Sequence, residues 1–197
     1  MVRFLNVAAT LALTYDDGPD PHGTPRLLDA LAQMGATATF FPISSRAAAH
    51  PGLIERMLAE GHTVGLHCRK HIRHSQRTWD ELQADTEAAL ITLRSLRVQP
   101  ALWRTPWGDL APSSRAIARQ AKLRIVGWDH DTHDWRGDSA PDMFARARTH
   151  FRPGKVLLAH DGIGPGARRD DVRETIAFTS MVGEHAARHG LALEALR

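Results

Sequence analysis

The sequence holds one cysteine, Cys68, in 197 residues. That excludes an internal disulfide framework and fits a reducing compartment. No apolar run approaches the ~20 residues that a membrane-spanning helix needs. No basic run is interleaved with aromatics, and the formal net charge is only +3, so neither a nucleic-acid partner nor a membrane is expected. There is no internal repeat, low-complexity segment or linker. The start, MVRFLNVAATLAL, carries one Arg and a short apolar stretch, as a signal peptide would. That stretch runs straight into TYDDGP, however, and cleavage would remove the strand that carries the acids. As given, the chain reads as cytoplasmic; a longer precursor would make it secreted.

The composition is that of a globular protein, 43% hydrophobic and 24% charged, and the length suits one domain over 1–197 with a sizeable core. Short apolar runs alternate with amphipathic stretches. Strands are expected at 7–15, 36–43, 63–67, 101–104, 124–129, 155–160 and in the closing LALEAL. Helices are expected from Thr24 as N-cap to Met34, over 51–60, from Thr78 to Leu96, from Ser113 to Lys122, and over 141–151 and 171–189. Thr78 and Glu81 form a capping box. Seven strands alternating with helices predict an α/β protein with a parallel sheet, in which pattern alone does not separate an open sheet from a closed barrel.

The polar clusters fall at the C-terminal ends of these strands, the edge at which parallel α/β folds build their sites. In TYDDGP, two adjacent acids, Asp16 and Asp17, end the first strand. Asp, Gly and Pro all favour a turn, but a turn needs only one Asp. Two acids side by side coexist if a cation neutralises at least one, leaving the other free as a base. In HCRKH, His67 and His71 are four residues apart; among 12 histidines such pairs also arise by chance, as His62 and His74 show. Two imidazoles plus one carboxylate nevertheless make a common catalytic metal set with positions open for water. Arg104 in WRTPWG is either an exposed side chain on a rigid turn or the partner of a catalytic carboxylate. DTHDW, with Asp134 and Trp135, is either a solvated acidic loop or a source of two more acids and an aromatic; His160, at the end of LLAH, is either structural or, if it faces an acid, in the usual general-acid arrangement.

Five such segments in order resemble the polysaccharide deacetylases, the carbohydrate esterases that share the NodB homology domain. TYDDGP stands for the family's T-F-D-D-G, HCRKH for H-S/T-x-x-H, RTPWG for R-x-P-Y/W, DTHDW for D-x-x-D-W and LAH for L-x-H. The resemblance implies a distorted (β/α)7 barrel and removal of N-acetyl groups from a chitooligosaccharide-like or peptidoglycan-like substrate. It implies that Asp17, His67 and His71 hold one divalent metal, as a rule Zn2+, with Co2+ or Ni2+ as alternatives. It makes Asp16 the general base paired with Arg104, and His160 the general acid held by Asp134. Trp107 would supply a backbone N–H to the oxyanion, and Trp135 and Leu158 would wall the acetyl pocket.

Three positions depart from the family pattern. Leu66 stands for Asn, Cys68 for a Ser or Thr that braces the histidine loop, and Arg73 with His74 for apolar residues. A thiol hydrogen-bonds weakly, so the loop must be held in another way; Cys68 itself reads as a small buried residue rather than a ligand. Alternatives to the N-deacetylase are an O-deacetylase of acetylxylan and a carbohydrate- or metal-binding member without turnover. The intact Asp16, Arg104, Asp134 and His160 argue against the latter. A non-haem iron oxygenase needs H-x-D on a β-sandwich, whereas here the carboxylate comes first and the pattern is α/β.

Overall fold

The computed structural model describes residues 9–197; the first two positions of the expected 7–15 strand lie outside them. The first strand, β1 (Thr10–Asp16), occupies the centre of a parallel sheet. Strands β2 (Thr39–Phe41) and β3 (Thr63–Val64) flank it on one side, and β7 (Val156–His160) on the other. An isolated parallel bridge, Leu66 to Trp103, carries the sheet on to β4 (Leu102–Trp103). The stretch 124–131 then closes the ring. Its start, β5 (Arg124–Ile125), pairs with β4, and its end, β6 (His130–Asp131), pairs with β7. The expected strand at 124–129 is thus split in two, because its halves hydrogen-bond to different neighbours.

The last strand, β8 (Ala192–Leu193), enters as a wedge. It pairs with the lower end of β1 through Thr10–Ala192 and Leu11–Leu193, while β2 pairs with the upper end from Thr14 to Asp16. Thr37 N–H donates to the Leu193 carbonyl at 3.1 Å, so β8 lies between the approaches to β1 and β2. The result is a distorted (β/α)7 barrel with parallel strands.

Alternation along the strands sorts the side chains. On β1, Leu11, Leu13 and Tyr15 join the main core under the helices, whereas Ala12 joins a smaller cluster with Phe41, Leu102, Val126 and Val156. Thr14 and Asp16 share the face of Ala12, and by the same rule Leu158 and His160 share the face of Val156. Barrel-facing positions are therefore apolar at the bottom and polar at the C-terminal edge.

The helices α1 (Thr24–Gln33), α3 (Pro51–Ala59), α4 (Trp79–Ser95), α5 (Pro112–Gln120), α6 (Ala140–Ala147) and α7 (Arg173–Arg188) fall where their apolar spacing predicts. A further helix, α2 (Ser44–Ala49), was not expected; its six residues are too few to display a period. Thr24 is not the cap of α1: Gly23 takes that place, and the Thr24 hydroxyl turns to Asp161 instead. Thr78 does cap α4, with both halves of the capping box formed. Thr78→Ala should cost about 1 kcal/mol and lower the melting temperature by roughly 2–4 °C, measured by calorimetry; no change would show that the box carries no stability. Among the described residues no helix is long and apolar enough to cross a membrane.

Candidate active site

A cavity of about 390 Å³ opens at the C-terminal edge of the barrel. Asp16, Asp17, His67, His71, Trp107, Trp135, Leu158 and His160 all line it. Arg104 and Asp134, 0% and 1% exposed, stand directly behind. The ten residues marked in the sequence therefore meet at one place, although they come from five separate strand ends.

Asp17, just beyond β1, adopts a left-handed backbone with φ 71°. The reversal separates the two neighbouring acids. Asp16 continues the barrel-facing row of β1 towards Arg104, while Asp17 turns to the histidines. Its Oδ1 lies 3.3 Å from Nε2 of both His67 and His71. The three donor atoms lie within 4.8 Å of one another. The tautomer of His67 follows from its other nitrogen: Nδ1 is 2.7 Å from the Arg104 carbonyl, which only accepts, so Nδ1 carries the proton and Nε2 presents its lone pair. Asp17 Oδ1 and His67 Nε2 are buried without a hydrogen-bond partner. Two orphaned acceptors aimed at one point, with a third donor beside them, are what a cation would satisfy, and the N2O set fits a divalent ion of the zinc type.

The charges agree with this. Burial raises the Asp17 carboxyl, but the neighbouring His67, with the charges of His160 and His71, outweighs it and holds the group at about 2. Burial takes His71 down to about 4, leaving it neutral, as a metal ligand must be. His67 runs the other way: burial is outweighed by Asp17 and the imidazole is raised, so a cation would compete with a proton for Nε2.

Asp16 belongs to a second network. Arg104 Nη1 donates to Asp16 Oδ1 at 3.0 Å and to Thr14 Oγ1 at 2.7 Å, and Nη2 donates to the Gly127 carbonyl at 2.9 Å. The guanidinium sits 4.4 Å from the Phe41 ring centre and 5.6 Å from that of Trp128. A planar cation with three acceptors and two aromatic neighbours has little freedom, and it holds the Asp16 carboxylate with it.

The third network centres on His160. Its Nδ1 lies 2.7 Å from Asp134 Oδ1, and its backbone N–H donates to Asp134 Oδ2 at 2.9 Å. Asp134 Oδ2 also takes the Thr175 hydroxyl at 2.7 Å and the Arg169 guanidinium at 2.9 Å. Burial would raise the Asp134 carboxyl, but His160, Arg169 and Thr175 together hold it well below the usual carboxylate range. Burial alone would lower His160; the Asp134 charge and hydrogen bond push it up to about 9.

The loop after β3 is held without the Ser or Thr that Cys68 replaces. Asp85 on α4 accepts the Arg69 and Lys70 N–H groups, both at 2.9 Å, and the Trp103 indole donates to the His67 carbonyl at 2.9 Å. Cys68 is buried, and its carbonyl takes the Ser44 N–H at 2.8 Å. His62 and His74 serve the scaffold: His62 Nδ1 accepts the Ala38 N–H, and His74 Nδ1 contacts Ser114 Oγ. Trp107, with φ 54°, meets His71 edge-on at 4.1 Å.

Sequence reasoning missed Thr14, Trp128, Arg169 and Thr175, and assigned no role to Asp161. Asp161 is 1% exposed and accepts from the Gly18 N–H at 3.2 Å and the Thr24 hydroxyl at 2.7 Å, pinning the turn that carries the acids. Burial, with Asp17 and Asp16 nearby, raises its carboxyl to about 7. Close packing also restricts the loop after β7: a Cβ on Gly164 would sit 1.9 Å from Asp17 Oδ2. Only Thr14 had a usable signal, its place on the barrel-facing side of β1.

Fold and site together define a (β/α)-barrel hydrolase. Residues 7–126 match the family description of the polysaccharide deacetylases. A chitooligosaccharide deacetylase of Bradyrhizobium sp. is 37% identical over 159 residues, 80% of this chain and 73% of that protein. A peptidoglycan-N-acetylglucosamine deacetylase of Bacillus cereus is 32% identical over 154 residues, 77% of this chain and 72% of that protein. Among solved structures, the family 4 carbohydrate esterase from Streptomyces lividans superposes with a TM-score of 0.84 at 27% identity, covering 94% of this chain and 91% of the other. The peptidoglycan deacetylase PdaC from Bacillus subtilis does so with a TM-score of 0.85 at 26% identity, covering 95% and 88%. The chain belongs to the polysaccharide deacetylase family.

Proposed function

We propose that this chain is one deacetylase domain that hydrolyses N-acetyl groups on an N-acetylated sugar oligomer or polymer of the chitooligosaccharide or peptidoglycan type. The observation that carries the reading is that the Asp16–Arg104 and His160–Asp134 pairs face the same cavity as the Asp17–His67–His71 cluster. Bound by Asp17, His67 and His71, a divalent ion, Zn2+ by its donor set with Co2+ or Ni2+ as alternatives, would polarise the acetyl carbonyl and acidify a water. Asp16, fixed by Arg104, accepts the proton of the attacking water. The Trp107 backbone N–H faces the developing oxyanion. Trp135 and Leu158 enclose the acetyl methyl. His160 gives its proton to the leaving nitrogen from Nε2, since Nδ1 is bonded to Asp134.

The His160–Asp134 pair favours an amide over the O-acetyl ester of acetylxylan. An amine leaves only after protonation, whereas an alcohol depends on the proton less. Acetate release should be measured on chitooligosaccharides, peptidoglycan fragments, acetylxylan and small N-acetyl sugars, with and without added zinc. Release from the first two with zinc is expected; none from any of the panel overturns the reading.

The acid also sets a pH dependence. The donor is the protonated imidazole, present below about 9, so turnover should decline as pH rises through about 9. The pair's contribution to fold stability is lost over the same limb, being complete below the ordinary value of 6.5. Asp134→Asn removes the anion that raises His160, so the alkaline limb should move to lower pH; an unmoved limb would assign it to another group.

A further inference from the structure

Two guanidinium groups at the cavity rim take no part in the three networks. Arg73 lines the cavity, with its guanidinium carbon 4.6 Å from the Trp107 ring centre. Arg136 lies 5.0 Å over the ring of Trp135, which also lines the cavity. Both arginines are exposed. Asp109, whose carboxyl Arg73 helps to lower, accepts the Ser75 N–H and hydroxyl at 2.8 and 2.7 Å, and Asp138, two residues from Arg136, is paired with Arg146 at 2.5 Å.

A neutral glycan uses a tryptophan by stacking a sugar ring on its face. Here one face of each tryptophan carries a cation instead. A guanidinium resting over an aromatic ring is restrained for a carboxylate, which it can grip through two parallel hydrogen bonds. We propose that Arg73 on Trp107 and Arg136 on Trp135 form an anion-binding rim, and that the chain prefers glycans bearing a carboxylate on a sugar unit next to the N-acetylated one. This rests on the deacetylase reading and narrows its substrate.

The test compares acetate release from three substrates by the zinc-loaded full chain. One is an oligosaccharide alternating N-acetylglucosamine with its 3-O-lactyl ether. The second is the same compound with its carboxylates converted to amides. The third is a chitooligosaccharide of equal length. The kcat/KM ratio of acid to amide form should exceed one and shrink as salt is raised. In Arg73→Gln that ratio should fall roughly three- to tenfold, Arg136→Gln should lower it less, and Arg73→Lys should keep part of it. Because the ratio is internal to each variant, a general loss of activity does not move it. Acetate release with a ratio of one, or a ratio unmoved by Arg73→Gln, overturns the rim and leaves the deacetylase reading intact. No acetate from any of the three overturns that reading and the rim with it.

Discussion

Asp16→Asn should keep its metal and lose acetate release by a factor of about 10²–10⁴, the range over which a positioned general base contributes. The separation of the two effects follows from Asp17. Its left-handed backbone points it at His67 and His71, whereas Asp16 points at Arg104 and is not part of the three-donor cluster. Asparagine keeps the shape but cannot accept the water's proton. Arg104 retains Thr14, the Gly127 carbonyl and its stacking on Phe41, so the scaffold should persist, though a buried cation without its anion will lower the melting temperature. Metal content by elemental analysis, circular dichroism and single-turnover acetate release decide the matter. Near-normal release would show that Asp16 is not the base.

His71→Ala or Asp17→Ala should instead lose metal and activity together. Altering a residue behind the ligands typically costs a metal site about 10–100-fold in affinity, and removal of a ligand from a three-residue set should exceed that. Asp17 matters most, because its Oδ1 is the atom that both imidazoles approach. Equilibrium dialysis against zinc measures the loss. Excess zinc should restore part of the turnover of His71→Ala but none of that of Asp16→Asn, which distinguishes a ligand from a base in one titration. Full occupancy in either ligand variant would overturn the assignment of the cluster.

The site was largely legible because its residues sit at strand ends. A short apolar run gives the strand, its end gives the active edge, and two-residue alternation gives the face. Thr14 and Asp16 could be read that way, as could Leu158 and His160. Arg169 and Thr175 could not: they reach Asp134 from a loop and a helix far along the chain, and nothing local to RRDD or to the start of α7 marks them. Thr24 misled for a related reason. Threonine before proline is a good cap by local rules, but a buried Asp161 competes for its hydroxyl and wins. The split of 124–131 is likewise tertiary, since β4 and β7 each claim one end.

The wedge of β8 between β1 and β2 makes the final segment a keystone. β1, which ends at the paired acids, precedes the other described strands in the chain, yet its lower end finds its neighbour on the β2 side only when Ala192 and Leu193 arrive. Until β8 docks, the barrel keeps an open seam beneath the acids. Such sequence-distant closure slows folding, so the lower end of the barrel, opposite its active edge, should be sealed last.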